Sequence, residues 1–318
     1  MSKFLITGGA GFIGLNYLMI MTEKYPDDYF ICLDCLTYAA NYDELKELKK
    51  KKNFCFYKAD ICNKDTLDSL FQKEKIDYVI NFAAESDVDK SIIDSDVFIR
   101  TNIYGTKVLL DVCRKYGIRR FHQVSTDEVY GPALLNEPSF TEKDKLNPTN
   151  PYSASKAGAE MLVFGYHQTY GLPITISRSS NNYGPYQNLE KLIPLWISKA
   201  LNNSSLPVYG NGLNIRDWLY VKDNCQAIDL IVRNGRNGEV YNIGGGNEKT
   251  NLEIADLILK ELKLPSDFYH FVQDRKGHDF RYSLNTDKIT NELGWKPSKE
   301  FKQGLRETIL YFRNKSCF

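Results

Sequence analysis

Short apolar runs alternate with helix-length amphipathic stretches through the first half of the chain. Residues 3–7, 29–34, 54–58, 78–82, 120–125 and 174–178 are apolar and flanked by turn formers, which predicts six strands. Residues 11–24, 43–50, 64–74, 98–116 and 152–170 carry apolar positions at helical spacing between them. Strand and helix in strict alternation mark βαβ units, because a parallel strand pair needs a crossover connection. The fold class predicted is therefore α/β, a doubly wound parallel sheet.

After residue 178 the rhythm breaks into turn-forming clusters: Asn181-Asn182-Tyr183-Gly184-Pro185, Tyr209-Gly210-Asn211-Gly212 and Gly244-Gly245-Gly246-Asn247. Loops of this composition commonly carry sites on a rigid scaffold. The division expected is a first domain over residues 1–178 and a smaller mixed α/β domain over 179–318, with about 218–243 returning to the first. The second closes over the carboxyl ends of the strands, where open α/β sheets bind ligands. There is no internal repeat, low-complexity segment or Pro-rich linker.

Charge changes the picture by exclusion. Lys and Arg number 41 against 40 Asp and Glu, a net charge of +1 over 318 residues, which argues against nucleic acid or an anionic membrane as partner. The chain enters its first strand at once, and no apolar run reaches about 18 residues, so neither a leader nor a membrane span is expected. The seven cysteines, at 32, 35, 55, 62, 113, 225 and 317, are odd in number and scattered, as in a reducing cytoplasm. Cys32 and Cys35 form a CxxC around Asp34 with no second pair to complete a zinc set, so no metal is expected.

Thr7-Gly8-Gly9-Ala10-Gly11-Phe12-Ile13-Gly14 follows the first strand and opens the first helix, the context a dinucleotide fingerprint requires. Gly8 permits the turn, Gly11 lets backbone approach a pyrophosphate, and Gly14 allows close packing of helix on strand. The sheet is thus expected to be Rossmann-like. Asp34 ends the second strand twenty residues beyond Gly14, where a carboxylate accepts ribose hydroxyls and repels a 2′-phosphate, which favours NAD over NADP. Asp60-Ile61 closes the third strand and Phe82-Ala83-Ala84 the fourth, small residues that admit a nicotinamide ribose. Phe12, Ile13, Leu36, Thr37 and Thr101 complete the cofactor set expected here.

Two further segments carry chemistry. Ser125-Thr126-Asp127-Glu128-Val129-Tyr130-Gly131 follows the fifth strand, and Tyr152 and Lys156 stand four apart on one helix face. A neighbouring ammonium is expected to lower the Tyr152 phenol enough to take a proton from a hydroxyl, with Thr126 bonding the same oxygen.

With these motifs the chain resembles the extended short-chain dehydrogenase/reductase family, and within it the nucleotide-sugar 4,6-dehydratases, most closely those acting on dTDP-glucose. The resemblance runs from Ile6-Thr7-Gly8 to Gly294-Trp295-Lys296-Pro297, and its most specific piece is the adjacent pair Asp127-Glu128. Removing water from a 4-keto sugar takes a base at C5–H and an acid at the C6 hydroxyl. The resemblance implies Glu128 as base, Asp127 as acid, and Tyr152 and Lys156 both catalytic and facing NAD. Neighbours in an extended chain point to opposite sides, so a nonregular loop must aim both carboxyls at one sugar.

The resemblance further implies that Asn181, Lys191, Arg216, Asn251, Arg275 and His278 contact the nucleotide diphosphate or base, Asn182 the cofactor side, and Ser86 and Thr126 the sugar. It implies a homodimer packed through residues 98–116 and 152–170. Many relatives read Glu-Ser-His-Val-Asp where this chain has Glu85-Ser86-Asp87-Val88-Asp89, and two readings of Asp87 stay open: it points away, or it raises Asp127 or Glu128 by like-charge repulsion. Three other readings stay open: a UDP-glucose 4,6-dehydratase, a nucleotide-sugar 4-epimerase, and an NAD-binding regulator without catalysis.

Overall fold

The computed structural model describes residues 1–274 and 276–315. Among them, β1 (Lys3–Thr7), β2 (Tyr29–Asp34), β3 (Phe54–Lys58), β4 (Tyr78–Asn81), β5 (Arg120–Thr126) and β6 (Ile174–Ser179) occupy the predicted strand positions to within a residue at each end. Helices α1 (Phe12–Lys24), α2 (Tyr42–Leu48), α3 (Lys64–Glu74), α4 (Val88–Ile93), α5 (Asp96–Phe98), α6 (Thr106–Tyr116) and α7 (Pro151–Tyr170) connect them. The remaining strands are β7 (Asn181–Tyr183), β8 (Leu206–Tyr209), β9 (Ile215–Tyr220), β10 (Glu239–Ile243), β11 (Glu248–Thr250) and β12 (Tyr269–Val272).

The main sheet has seven strands, not six, in the order β10-β6-β5-β4-β1-β2-β3, all parallel. The seventh strand escaped prediction because β10 lies far along the chain, after a long excursion. It returns behind α9 (Val221–Asn234), whose Ile228 and Ile231 pack with Phe4, Ile6, Leu15 and Leu18 on one face of the sheet. Leu5, Ile31 and Val79 face the other way, under Leu109 of α6 and Val163 of α7. Alternate residues of one strand thus feed two cores, as a sheet covered on both faces demands.

The predicted helix over 98–116 is broken. A π-helical segment, Ile99–Gly105, joins α5 to α6. Gly105 lies so close to Ile61 that an added Cβ would sit 2.5 Å from its Cδ1, and the wide turn carries Asn102, whose amide bonds Glu85 O at 3.0 Å and Ser155 Oγ at 2.8 Å. Helix α7 starts cleanly on a capping box between Asn150 and Ser153 with Pro151 behind it, and stops at Gly171 in the left-handed region.

Beyond the sheet, β11-β9-β7 and β12-β8 form two small sheets. With α8 (Leu192–Leu201), α10 (Asn251–Leu262) and α12 (Phe301–Asn314) they enclose a separate core around Trp196, Trp218, Ile258 and Phe312, while α11 (Asp287–Leu293) lies against β10. No helix among the described residues is long and apolar enough to cross a membrane.

Candidate active site

Two cavities meet at the carboxyl ends of the main strands. The first, about 490 Å³, is lined by Gly8, Gly11, Phe12, Ile13, Gly14, Asp34 and Thr37 from one side and by Asp60, Ile61, Phe82, Ala83, Ala84 and Thr101 from the other. Gly8 has φ +65°, and a Cβ there would lie 2.6 Å from Ala83 N; one on Gly14 would strike Gly8 O. Helix α1 begins at Gly11 with no side-chain cap, so its first N–H groups and dipole face the cavity free for an anion. These features fit a dinucleotide pyrophosphate.

Asp34 is held rigidly: Oδ2 accepts from Ala10 N at 3.0 Å and Oδ1 from Leu36 N at 2.8 Å. Burial lifts its carboxyl above the usual range, with those two N–H groups opposing. Leu36 itself turns out of the first cavity's wall; it adopts φ 60° and packs on the core, contributing only its backbone to the turn.

Tyr152 and Lys156 enter the same cavity from α7. Lys156 Nζ donates to Val124 O at 2.7 Å, and burial draws its ammonium down to about 8. The pKa of the Tyr152 phenol moves opposite to expectation. Counting the chain's own groups, burial first and then the charges of Glu128 and Asp127 hold the phenol well above its ordinary value, and the Thr126 bond only partly offsets them. A depressed phenol therefore needs positive charge from a ligand.

The carboxyl pair sits on a single 3₁₀ turn, Asp127–Tyr130, rather than on an irregular loop. Thr126 caps it: Glu128 N donates to its Oγ at 3.3 Å, and the hydroxyl donates to Asp127 Oδ1 at 3.2 Å. Gly131 ends it at φ +79°, where an added Cβ would strike Asn147 O. The tight turn separates the two side chains. Glu128 lines the second cavity, about 550 Å³ in volume, and Asp127 is the more deeply buried of the two. Burial, then Glu128 and Asp217, push the Asp127 carboxyl far above its usual range against the pull of Arg216. Asp127 Oδ2 and Glu128 Oε2 are buried with no hydrogen-bond partner among the described residues.

Asp87 stands at the start of α4. Its carboxylate caps α4, accepting from Lys90 N at 3.2 Å and pairing with Lys90 Nζ at 3.2 Å. Burial raises it, but those contacts and Lys191 outweigh burial and leave it below the ordinary range. The like charges that lift Asp127 come from Glu128 first and then from Asp217 on β9.

The second cavity gathers Asn181, Lys191, Arg216, Asn251 and His278. Asn182 lines it too, on β7, which runs alongside β9, and its carbonyl accepts from Gln187 Nε2 at 2.9 Å. Ser86 stands beside the boundary of the two cavities. It lines the first cavity, with its carbonyl accepting from Lys191 Nζ at 2.7 Å. Arg216 donates to Ile215 O at 2.7 Å and Asp279 O at 2.9 Å, with its guanidinium 4.5 Å from the Tyr282 ring centre. His278 Nδ1 lies 2.6 Å from Asp274 Oδ1. Arg275 lies outside the described residues.

Gln187, Glu190 and Lys191 line both cavities and form their common wall. Nothing in the sequence marked Gln187 or Glu190 as a partition. Tyr282 and Trp196, also in the second cavity, follow no motif and were missed.

The chain matches the model of the family described as GDP-mannose 4,6 dehydratase over residues 5–308. It belongs to this family. Among its members, a dTDP-glucose 4,6-dehydratase of Haemophilus influenzae is 48% identical, with 98% of each chain covered. A low-salt glycan biosynthesis protein, Agl12, of Haloferax volcanii is 47% identical over 97% of each. The solved dTDP-glucose 4,6-dehydratase DesIV of Streptomyces venezuelae, with NAD and TYD bound, superposes with a TM-score of 0.94 at 43% identity, covering 98% of this chain and 97% of that one. A UDP-glucose 4-epimerase of Thermotoga maritima shares the fold (TM-score 0.91, 98% and 99% covered) at 29% identity. The 4,6-dehydratase family thus contains this chain at close range, and epimerases stand further off.

Proposed function

We propose that this chain dehydrates a nucleoside-diphosphate glucose, dTDP-glucose, to its 4-keto-6-deoxy derivative with tightly held NAD. The observation that carries the reading is the carboxyl pair on one 3₁₀ turn, one member facing the cavity and the other more deeply buried with a raised pKa. Elimination needs two carboxyls in opposite protonation states, and the raised Asp127 carboxyl supplies the protonated one.

NAD, when bound in the first cavity, supplies the hydride acceptor for C4 and returns that hydride to C6, so net redox change is zero. Tyr152 takes the C4 hydroxyl proton, with Thr126 bonded to the same oxygen and Lys156 beside it. Glu128 takes the C5 proton, and Asp127 delivers its proton to the departing C6 hydroxyl, which leaves as water. C5 then regains a proton. Arg216, His278 and Lys191 supply positive charge to the diphosphate, and the buried Asn181 and Asn251 carbonyls await donors on the nucleotide.

Residues 1–178 with 221–243 form the NAD-binding unit in this reading, and most of the remainder holds the nucleotide. We also propose a homodimer packed through α6, α7 and the π-helical segment. Ile99 and Tyr104 (both 51% exposed) and Met161 (52%) support it as apolar residues left in solvent. A cytoplasmic location is proposed on the six described cysteines, all unpaired.

Purified protein incubated with dTDP-glucose or UDP-glucose, without added NAD, tests the reading. Loss of one water by mass from dTDP-glucose is expected. No mass loss from either sugar rejects dehydration, an epimer of unchanged mass favours the epimerase, and preferential turnover of UDP-glucose reassigns the base.

A further inference from the structure

Behind the site lies a closed polar network that the reaction scheme does not use. Glu160 is fully buried on α7, four residues beyond Lys156 and eight beyond Tyr152, on the same helix face. Arg178, on β6 and 3% exposed, clasps it: Nε donates to both carboxylate oxygens at 3.2 and 3.1 Å, and Nη2 to Oε2 at 2.6 Å. The remaining fork nitrogen, Nη1, donates to Tyr130 OH at 2.8 Å, and that hydroxyl donates to Asn242 Oδ1 on β10 at 2.8 Å. The Tyr130 ring stacks on Phe140 with centroids 5.0 Å apart, and the Arg178 guanidinium lies 4.7 Å from its centre. None of Tyr130, Glu160, Arg178 and Asn242 lines either cavity.

Tyr130 is the last residue of the turn that carries Asp127 and Glu128. The network therefore ties the elimination turn to the helix that carries Tyr152 and Lys156, through the strand between them. Building it takes a buried ion pair, which by itself contributes little net stability compared with apolar packing but fixes geometry through a bidentate fork. An apolar contact could fill the same space; it could not set the turn's distance from the helix.

Resting on the dehydratase reading, we infer that Tyr130 is a positioning residue for water elimination, held by the Glu160–Arg178 pair so that Asp127 and Glu128 keep their placement relative to Tyr152. Helix α7 has its own anchor in the Asn150–Ser153 capping box and the bond from Tyr152 N to Ser91 Oγ at 3.2 Å. Loosening the turn thus leaves the oxidising tyrosine in place. C4 oxidation and elimination respond separately.

The test is Tyr130→Phe in the holoenzyme, mixed rapidly with dTDP-glucose while reduced nicotinamide is followed by absorbance and loss of water by mass. Nicotinamide reduction within about threefold of the unmodified enzyme is expected, with water loss slower by about tenfold or more, equivalent to ~1.4 kcal/mol in that one barrier. Equal slowing of both steps, as a merely destabilised protein would show, overturns the inference, and so does an unchanged ratio. Should Tyr130→Phe not fold, Asn242→Ser, which cuts the hydroxyl's other bond, is expected to shift the same ratio in the same direction; no shift overturns the inference. Failure of the unmodified enzyme to release water would instead reject the dehydratase reading itself.

Discussion

Asp127 and Glu128 are neighbours in sequence and unlike in setting. Burial and two nearby carboxylates keep Asp127 protonated far above the ordinary carboxylate pKa, so its stability contribution is full in acid and is lost as pH rises through the raised value. Asp127→Asn escapes that loss. Its melting temperature is expected to match the unmodified protein near pH 4 and exceed it by a few degrees at neutral pH, while water elimination falls by about a hundredfold or more; thermal unfolding across a pH series checks the first part. Tyr152→Phe is expected to abolish nicotinamide reduction. Glu128→Gln should reduce nicotinamide normally and then stall, and elimination at the usual rate would reassign the base. These residues were legible because each sits in a short contiguous motif. Their proton affinities were not: the rise at Tyr152 and the role of Asp217 arise from charges and burial that only the folded chain assembles.

At the scale of elements, the 3₁₀ turn converts adjacency into difference, and it depends on its terminal glycine. Gly131→Ala must adopt φ +79° and relieve a clash with Asn147 O, which is expected to cost about 2 kcal/mol in denaturant unfolding. Gly8→Ala meets Ala83 backbone in the same way, so protein purified from cells should lose its bound NAD, measured by extraction, while keeping the fold. Strand positions β1 to β6 were legible from apolar runs, since residues buried on both faces of a parallel sheet read as continuous hydrophobic stretches. The π-helical segment was not. Its pattern of apolar residues is helical throughout, and the widening follows from contact between Gly105 and Ile61, residues far apart in sequence.

On the scale of the whole molecule, the proposed dimer predicts that Met161→Glu, a charge on the exposed face of α7, shifts sedimentation to the monomer and lowers activity at low protein concentration. A molecule unchanged in mass at the same concentration would place the interface elsewhere. The seventh strand has a consequence of another kind. Until residue 243 leaves the ribosome, β6 has no neighbour on its outer side, and the face that α9 covers, with Phe4, Ile6, Leu15 and Leu18, stays open. Everything from 179 to 220, much of the nucleotide-binding segment, is synthesised before that edge is closed. Folding of the main sheet is therefore bound to completion of the later segments during translation: a nascent chain arrested near residue 178 would present a bare strand edge and an uncovered apolar face, a ready client for chaperones and not a working half-enzyme.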